Sequence, residues 1–269
     1  MSHKIKGICL AGGFGKRMLP ATEVTNKHLL PIYNTTMGAV PIIHFPLETL
    51  KNSGVTEILV ISSQDHCGDI ISHLGDGKKL GLDLTYKIQD MNPADGITGI
   101  AQALKLAEGF VGTSNFAVIL GDNFFENTFA EEFTSFDQQQ TNIKMEHSYS
   151  GYNLAPAAIF LKAVHDPQRY GVATTNNKGR VVKIVEKPEH PETNLAVSGL
   201  YLFTPQVFSL LPHLKPSRRM ELEISDINNQ YVKDGTMKSY MLKGFWNDMG
   251  TPESLVATQN FLEAKHAKV

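Results

Sequence analysis

Lys4-Ile-Lys-Gly-Ile-Cys-Leu-Ala-Gly-Gly-Phe-Gly-Lys-Arg17 is a short apolar run that breaks into a glycine-rich turn. The run reads as a β-strand over Lys4–Leu10. In open α/β sheets, ligands bind outside the carboxyl ends of strands, at turns of this kind. The pattern that follows decides the fold. Met37–Asn52 carries apolar residues at near-helical spacing and stops at Ser53-Gly54. Pro41 and Pro46 inside it predict an irregular start. Glu57–Ser62 contains Ile-Leu-Val-Ile, the unbroken apolar run of a strand covered on both faces. Asp65–Leu74 reads as a helix, Leu84–Gln89 as a strand, Gly99–Glu108 as a helix and Phe116–Leu120 as a second buried strand. This β-α-β-α-β rhythm predicts an α/β fold, three layers built on a doubly wound, mostly parallel (mixed) sheet.

The second half is richer in strands. Phe129–Gln140 reads as a helix and Thr141–Asn153 as a polar loop. Tyr170–Thr175 and Arg180–Glu186 flank Asn176-Asn-Lys-Gly179, a hairpin signal. Leu195–Phe203 and Met237–Leu242 read as strands. Ser225–Lys233 reads as a helix capped by Ser225, and Pro252–Lys265 as a closing helix capped by Thr251. With no repeat or linker in view, these strands are expected to extend the first sheet.

Composition narrows the function classes. The chain has 269 residues, with 25 Lys+Arg against 27 Asp+Glu, a net charge of −2. That balance lacks the strong field expected of a protein that binds nucleic acid or an anionic membrane surface. Two cysteines, Cys9 and Cys67, cannot build a disulfide framework or a four-cysteine zinc site. The longest apolar stretches fall far short of the ~20 residues of a spanning helix. The expected location is the cytoplasm, with both thiols reduced.

The turn itself fits neither of two familiar phosphate-binding patterns. A G-x-G-x-x-G fingerprint begun at Gly13 needs glycine at position 18, where Met18 stands. A P-loop needs glycine at Leu10 and Ser or Thr at Arg17. Alone, the turn reads equally as a tight strand-to-loop bend with solvated charges. Its sequel is more specific. Leu10-Ala-Gly-Gly-Phe-Gly-Lys-Arg-Met-Leu-Pro20, Thr22 and Asn26-Lys-His-Leu-Leu-Pro31 resemble the signature of nucleotide-sugar pyrophosphorylases. Among these the chain is most similar to short-form glucose-1-phosphate thymidylyltransferases. The resemblance recurs in order at Leu120-Gly-Asp-Asn123, Asp166-Pro-Gln-Arg-Tyr-Gly171, Glu186-Lys-Pro188, Ala196-Val-Ser-Gly-Leu-Tyr201, Glu221-Leu-Glu-Ile-Ser-Asp-Ile-Asn228 and Trp246-Asn-Asp-Met-Gly-Thr251. It covers nearly the whole chain.

The resemblance implies a Rossmann-like nucleotidyltransferase fold in a single domain, 1–269. A nucleotide-binding half would span 1–125, a sugar-phosphate-binding half 155–250, and a closing helix 251–269. It implies in-line attack by a hexose 1-phosphate oxygen on the α-phosphorus of dTTP, or of UTP, with pyrophosphate leaving. The dTDP-glucose formed from dTTP and glucose 1-phosphate would feed deoxysugar and surface-glycan synthesis. A phosphate monoester is largely ionised at pH 7, its second pKa being near ~6, so no general base is demanded. The task is to hold two anions together and neutralise the leaving group.

The expected parts follow from the matched positions. Arg17 and Lys27 are the catalytic cations. Leu10, Gly12, Gly13, Gly15, Arg17, Gln89 and Gly99 bind the nucleotide. Gln89 is expected to offer a thymine or uracil ring both a donor and an acceptor. Tyr170, Gly171, Glu186, Lys187, Val197, Tyr201 and Arg219 bind the sugar phosphate. Asp122 and Asp248 hold Mg²⁺; by itself Asp122 reads more readily as a loop carboxylate capping a helix. The family also implies a homo-oligomer.

Several positions depart from the family pattern. Lys16 stands where Thr is usual, either beside the phosphates or out in solvent. Met220 replaces a glycine, which opens the choice between Arg218 and Arg219. The 90–98 loop is long and leaves two registers, with Gly96 or Gly99 against the base; Gly99 fits the helix start better. Only 21 residues follow Asp248, which implies a short form with the feedback site of longer members absent or reduced. Two rivals are a catalytically silent nucleotide-sugar sensor, which need not keep Arg17, Lys27, Asp122 and Asp248, and a nicotinamide-dependent oxidoreductase, which lacks its glycine at position 18.

Overall fold

The computed structural model describes residues 5–34, 38–91, 93–94, 96–139 and 154–266. The first strand, β1 (Lys6–Ala11), runs into the glycine turn. A small antiparallel hairpin follows, β2 (Pro31–Asn34) and β3 (Gly38–Pro41), pairing Ile32 with Val40. Helix α1 (His44–Asn52) comes next. The single irregular helix expected over Met37–Asn52 is therefore a strand followed by a helix. Pro41 ends the strand. Pro46 lies in the first turn of α1, where its missing N–H costs no helical hydrogen bond.

The succession continues with β4 (Glu57–Ser63), α2 (Cys67–Leu74), β5 (Asp83–Gln89), α3 (Ile100–Lys105), α4 (Glu108–Val111) and β6 (Phe116–Leu120). After it come β7 (Asn123–Phe125), α5 (Ala130–Gln139) and β8 (Ala157–Ala163). The hairpin β9 (Gly171–Thr175) and β10 (Val181–Glu186) forms as expected and leads to β11 (Leu195–Phe203). Helix α6 (Ile224–Lys233), β12 (Met237–Met241), β13 (Trp246–Asp248) and α7 (Pro252–His266) complete the chain. Ser225 is not the cap of α6. It lies inside the helix, behind Glu223, and its hydroxyl donates to the Glu186 carboxylate. Thr251 does cap α7, its Oγ1 accepting from the Ser254 N–H at 3.3 Å. The loop read at Thr141–Asn153 lies outside the described residues.

Among the described residues nine strands form one mixed sheet. The order β10-β9-β11-β6-β1-β4-β5 makes its spine, and β8 joins β11 to β12. The pairs β1–β4, β1–β6 and β4–β5 are parallel, whereas β11 runs antiparallel to β6. Strands from both halves of the sequence thus share a sheet. Alternation along β1 divides the core. Ile8 and Leu10 face a cluster with Leu104 of α3 and Ile227 and Tyr231 of α6. Cys9 and Ala11 face the opposite cluster with Leu47 of α1, Ile70 of α2 and Phe136 of α5. Helices therefore cover both faces, the doubly wound arrangement.

The chain leaves β1 towards β4 on one side and returns to β6 on the other. This is the topological switch point, where an open sheet presents a crevice at its carboxyl edge. Gly12 follows β1 at that edge and Asp122 follows β6. A two-stranded ribbon, β7 with β13, sits beside them and pairs Asn123 with Asp248. Among the described residues no helix is long and apolar enough to cross a membrane.

Candidate active site

Two pockets open at this edge and share Ile100, Leu120 and Asp122 as a common wall. One is lined by Leu10, Gly12, Gly13, Lys27, Gln89 and Gly99. The other is lined by Arg17, Tyr170, Gly171, Glu186, Lys187, Val197, Tyr201 and Asp248. Of the residues expected to hold a nucleotide, Leu10, Gly12, Gly13, Gln89 and Gly99 line the first chamber, whereas Arg17 lines the second, among residues expected to hold a sugar phosphate. Gly15 and Arg219 line neither.

Lys27 follows Asn26, whose side chain accepts from the His28 N–H and caps a short helical turn. That turn aims the Lys27 ammonium at Asp122, with Nζ 2.5 Å from Oδ2 and both side chains almost fully buried. Burial pushes the Asp122 carboxyl up, but the Lys27 charge and hydrogen bonds from Lys27 and Asn123 outweigh it. The group lies well below the usual carboxylate range. Asp248 goes the other way: burial and then the Asp122 charge raise it against Lys27, Arg17 and Arg169. Its Oδ2 lies 3.6 Å from Arg17 and 3.9 Å from Arg169, while its buried Oδ1 has no hydrogen-bond partner.

A buried carboxylate oxygen without a donor, on the same ribbon as a second acid's neighbour, suits a divalent cation. Among the described residues no cluster of three His, Cys, Asp or Glu surrounds it. Two carboxylates with room for water and phosphate oxygens suit Mg²⁺, which keeps several waters, better than a cation needing a full protein cage.

The shape of the glycine turn is set by its backbone. Gly13 and Gly15 have φ of 101° and 61°, a region costly to other residues. A Cβ on Gly15 would also strike Thr22, whose hydroxyl donates to the Gly15 carbonyl. Lys16 is exposed and lies over the Phe14 ring, 5.5 Å from its centroid.

Gln89 differs from expectation. Its Nε2 donates to the Gly99 carbonyl at 3.2 Å and to Gln102 Oε1 at 2.9 Å. Both amide hydrogens are committed, so the buried side chain offers the pocket an acceptor only, beside Gly12. Gly99, at the start of α3, has φ 114° and presses on the Leu222 backbone, whereas Gly96 is exposed.

In the second chamber, Tyr170 packs against Trp246 with ring centroids 5.2 Å apart, and burial pushes its phenol up to about 12. Burial also raises Tyr201, which lies fully inside. Glu186 is held by Ser225 Oγ on one oxygen, with Lys187 Nζ 3.8 Å and Arg219 Nη2 3.6 Å from the other. Lys187 has φ 42°, a left-handed backbone conformation that is strained for any residue but glycine.

Arg219 is engaged elsewhere. Glu223 clamps it through three bonds of 2.8–3.2 Å and Glu221 approaches to 3.2 Å, so it would have to exchange partners to meet a phosphate. Met220 keeps the positive φ of a glycine, 57°, so the substitution leaves the turn in its glycine-like form.

Arg169, Asn123, Trp246 and Ser225 all line the second chamber, and none of them was expected in the site; Ser225 was expected only as a helix cap. Each lies inside a quoted motif, but nothing in composition or spacing shows which way it points.

The sequence profile described as Nucleotidyl transferase matches residues 6–265. A glucose-1-phosphate thymidylyltransferase of Neisseria meningitidis is 37% identical over 261 residues, 96% of this chain and 83% of that protein. The low-salt glycan biosynthesis nucleotidyltransferase Agl11 of Haloferax volcanii is 36% identical over 98% of this chain and 68% of its own length. A crystal structure from Bacillus anthracis, assigned as a glucose-1-phosphate thymidylyltransferase and solved in complex with a sucrose, superposes with a TM-score of 0.82 at 41% identity. It covers 96% of this chain and 95% of that one. A UDP-glucose pyrophosphorylase complexed with UDP-glucose, at 23% identity and a TM-score of 0.77, shares the fold.

Proposed function

The chain belongs to the nucleotidyl transferase family, and from that membership we propose that it transfers the thymidylyl group of dTTP to glucose 1-phosphate, releasing pyrophosphate and forming dTDP-glucose. The observation that carries the reading is the pair of chambers meeting at Asp122, one lined by the turn and Gln89, the other by Tyr170, Glu186 and Lys187.

In this reading the N–H groups of Gly12 and Gly13 approach the triphosphate oxygens, which no Cβ obstructs. The Gln89 oxygen accepts the ring N3–H common to thymine and uracil; cytosine has an acceptor there and is rejected. Lys27 faces the reacting phosphate from the first chamber, beside Asp122 of the wall that the chambers share. Arg17, more than half exposed along its side chain, reaches over from the other side and draws charge from the leaving pyrophosphate. Glu186, fixed by Ser225, accepts from sugar hydroxyls, and Lys187 pairs with the sugar phosphate.

Asp122 and Asp248 would hold Mg²⁺, which when bound neutralises phosphate charge and orients the triphosphate. Holding reactants in line and stabilising developing charge together supply the acceleration. A homo-oligomeric state also belongs to the proposal.

Screening dTTP, UTP, dCTP and dATP against several hexose 1-phosphates tests it. Pyrophosphate release is expected only with Mg²⁺, a thymidine or uridine triphosphate and a hexose 1-phosphate together. No turnover with any pair would overturn the enzymatic reading and favour a sensor. Faster turnover with UTP than with dTTP would move the reading to a uridylyltransferase.

A further inference from the structure

Asp122 does not hold its own orientation. Its neighbour Asn123 is buried, and the Asn123 carbonyl oxygen accepts from the Trp246 indole N–H at 2.8 Å and from the Gly199 backbone N–H at 3.2 Å. Both partners can only donate, which settles which end of the amide is oxygen. Asn123 Nδ2 must then face Asp122, and it donates to Oδ1 at 3.0 Å. With Lys27 on Oδ2, both oxygens of the carboxylate are tied and its plane is set.

The same residues tie the ribbon to the sheet. Gly199 belongs to β11, and a Cβ there would lie 2.7 Å from Asn123 Oδ1, so the close approach requires glycine. Asn123 is the register partner of Asp248. Trp246 lies two residues before Asp248, wedged between the Phe125 and Tyr170 rings.

We propose that Asn123 and Trp246 form a positioning pair, in which the indole N–H locks the Asn123 amide and the amide aims Asp122, and that this pair sets the affinity of the two carboxylates for a divalent cation. The inference rests on the reading of Asp122 and Asp248 as cation ligands. It assigns no direct contact with the cation to Asn123 or Trp246. Partners one step removed from a metal's ligands typically change its affinity about 10- to 100-fold when removed.

Trp246 is the only tryptophan in the chain. Biosynthetic replacement of tryptophan by benzothienylalanine, which puts sulfur where the indole has N–H, therefore alters this one contact and keeps the ring's shape. Trp246→Phe serves as a second variant. Mn²⁺ is titrated into each protein with α,β-methylene-dTTP bound, reading free Mn²⁺ by electron paramagnetic resonance. The rate is then measured as a function of Mg²⁺.

The expected result is Mn²⁺ affinity about tenfold weaker and a matching rise in the Mg²⁺ needed for half-maximal rate. Lower thermal stability with unchanged Mn²⁺ affinity would make the pair a packing feature and overturn the proposal. If the unmodified protein binds no Mn²⁺ beside the nucleotide, the reading of Asp122 and Asp248 fails first, and that outcome is distinct.

Discussion

His28 is buried beside Lys27 and kept neutral: burial first, then the Lys27 charge, pull its imidazole down to about 3 from an ordinary 6.5. Its Nδ1 lies 2.6 Å from Asn26 Oδ1, and its ring edge packs where a Cβ on Gly121 would go. The unfolded chain therefore takes up the His28 proton first as pH falls. The stability that neutral His28 supplies is complete above about pH 6.5 and is lost on the acid side, down to the folded pKa. At pH 5 the unfolded imidazole is almost wholly protonated and the folded one is not. Relative to pH 8, one such group costs about 2 kcal/mol. That figure depends on the unfolded pKa alone as long as the folded one stays below about 4. Urea unfolding of the unmodified protein and of His28→Gln, followed by Trp246 fluorescence at pH 8 and pH 5, isolates the effect because the other nine histidines cancel. The unmodified protein should lose about 2 kcal/mol more than the variant. Parallel losses, within about 0.5 kcal/mol, would refute the claim that His28 stays neutral in the folded site.

Other perturbations probe the site from different directions. Asp248→Asn should cut turnover by about 10²–10³-fold without lowering the melting temperature, because the amide removes a charge that burial and Asp122 already oppose; an unchanged rate would remove Asp248 from the site. Gln89→Leu should lower kcat/KM for dTTP by about 10- to 100-fold while changing that for dCTP much less; equal losses for both would show that Gln89 does not read the base. Gly99→Ala should cost about 2–4 kcal/mol, since the new Cβ would lie 2.6 Å and 2.8 Å from the Leu222 backbone at a φ of 114°; an unchanged melting curve would mean the Leu222 segment yields freely.

Hydrophobic runs made most of the sheet legible. β1, β4 and β6 are continuous apolar stretches because both faces are covered, and periodicity detects that burial directly. The hairpin β2–β3 was hidden because its two four-residue strands carry Pro31 and Pro41, signals that argue against strands. β7 and β13 have three residues each, too few for a period to show. β8 escaped because Ala157, Ala158 and Ala163 are weak strand formers, and its place between β11 and β12 comes from tertiary packing.

The candidate site divides in the same way. Residues in the glycine turn and at strand ends could be picked out by position. Orientation could not: the commitment of both Gln89 amide hydrogens, the hold of Glu223 on Arg219 and the lock of Trp246 on Asn123 each join residues far apart in sequence or fix a rotamer. Ser225 shows this most clearly. Its type and place suggested a helix cap, yet its hydroxyl serves Glu186, about 40 residues earlier, a pairing set by the packing of α6 on β10.

In the proposed reaction a hexose 1-phosphate oxygen attacks the α-phosphorus of dTTP. Glucose 1-phosphate carrying ¹⁸O in its non-bridging phosphate oxygens, incubated with dTTP, Mg²⁺ and the protein, tests this by ³¹P nuclear magnetic resonance of the product. The expected products are dTDP-glucose with ¹⁸O in the bridge between its two phosphates and pyrophosphate free of label. Product with an unlabelled bridge, or label appearing in pyrophosphate, would contradict the proposed reaction.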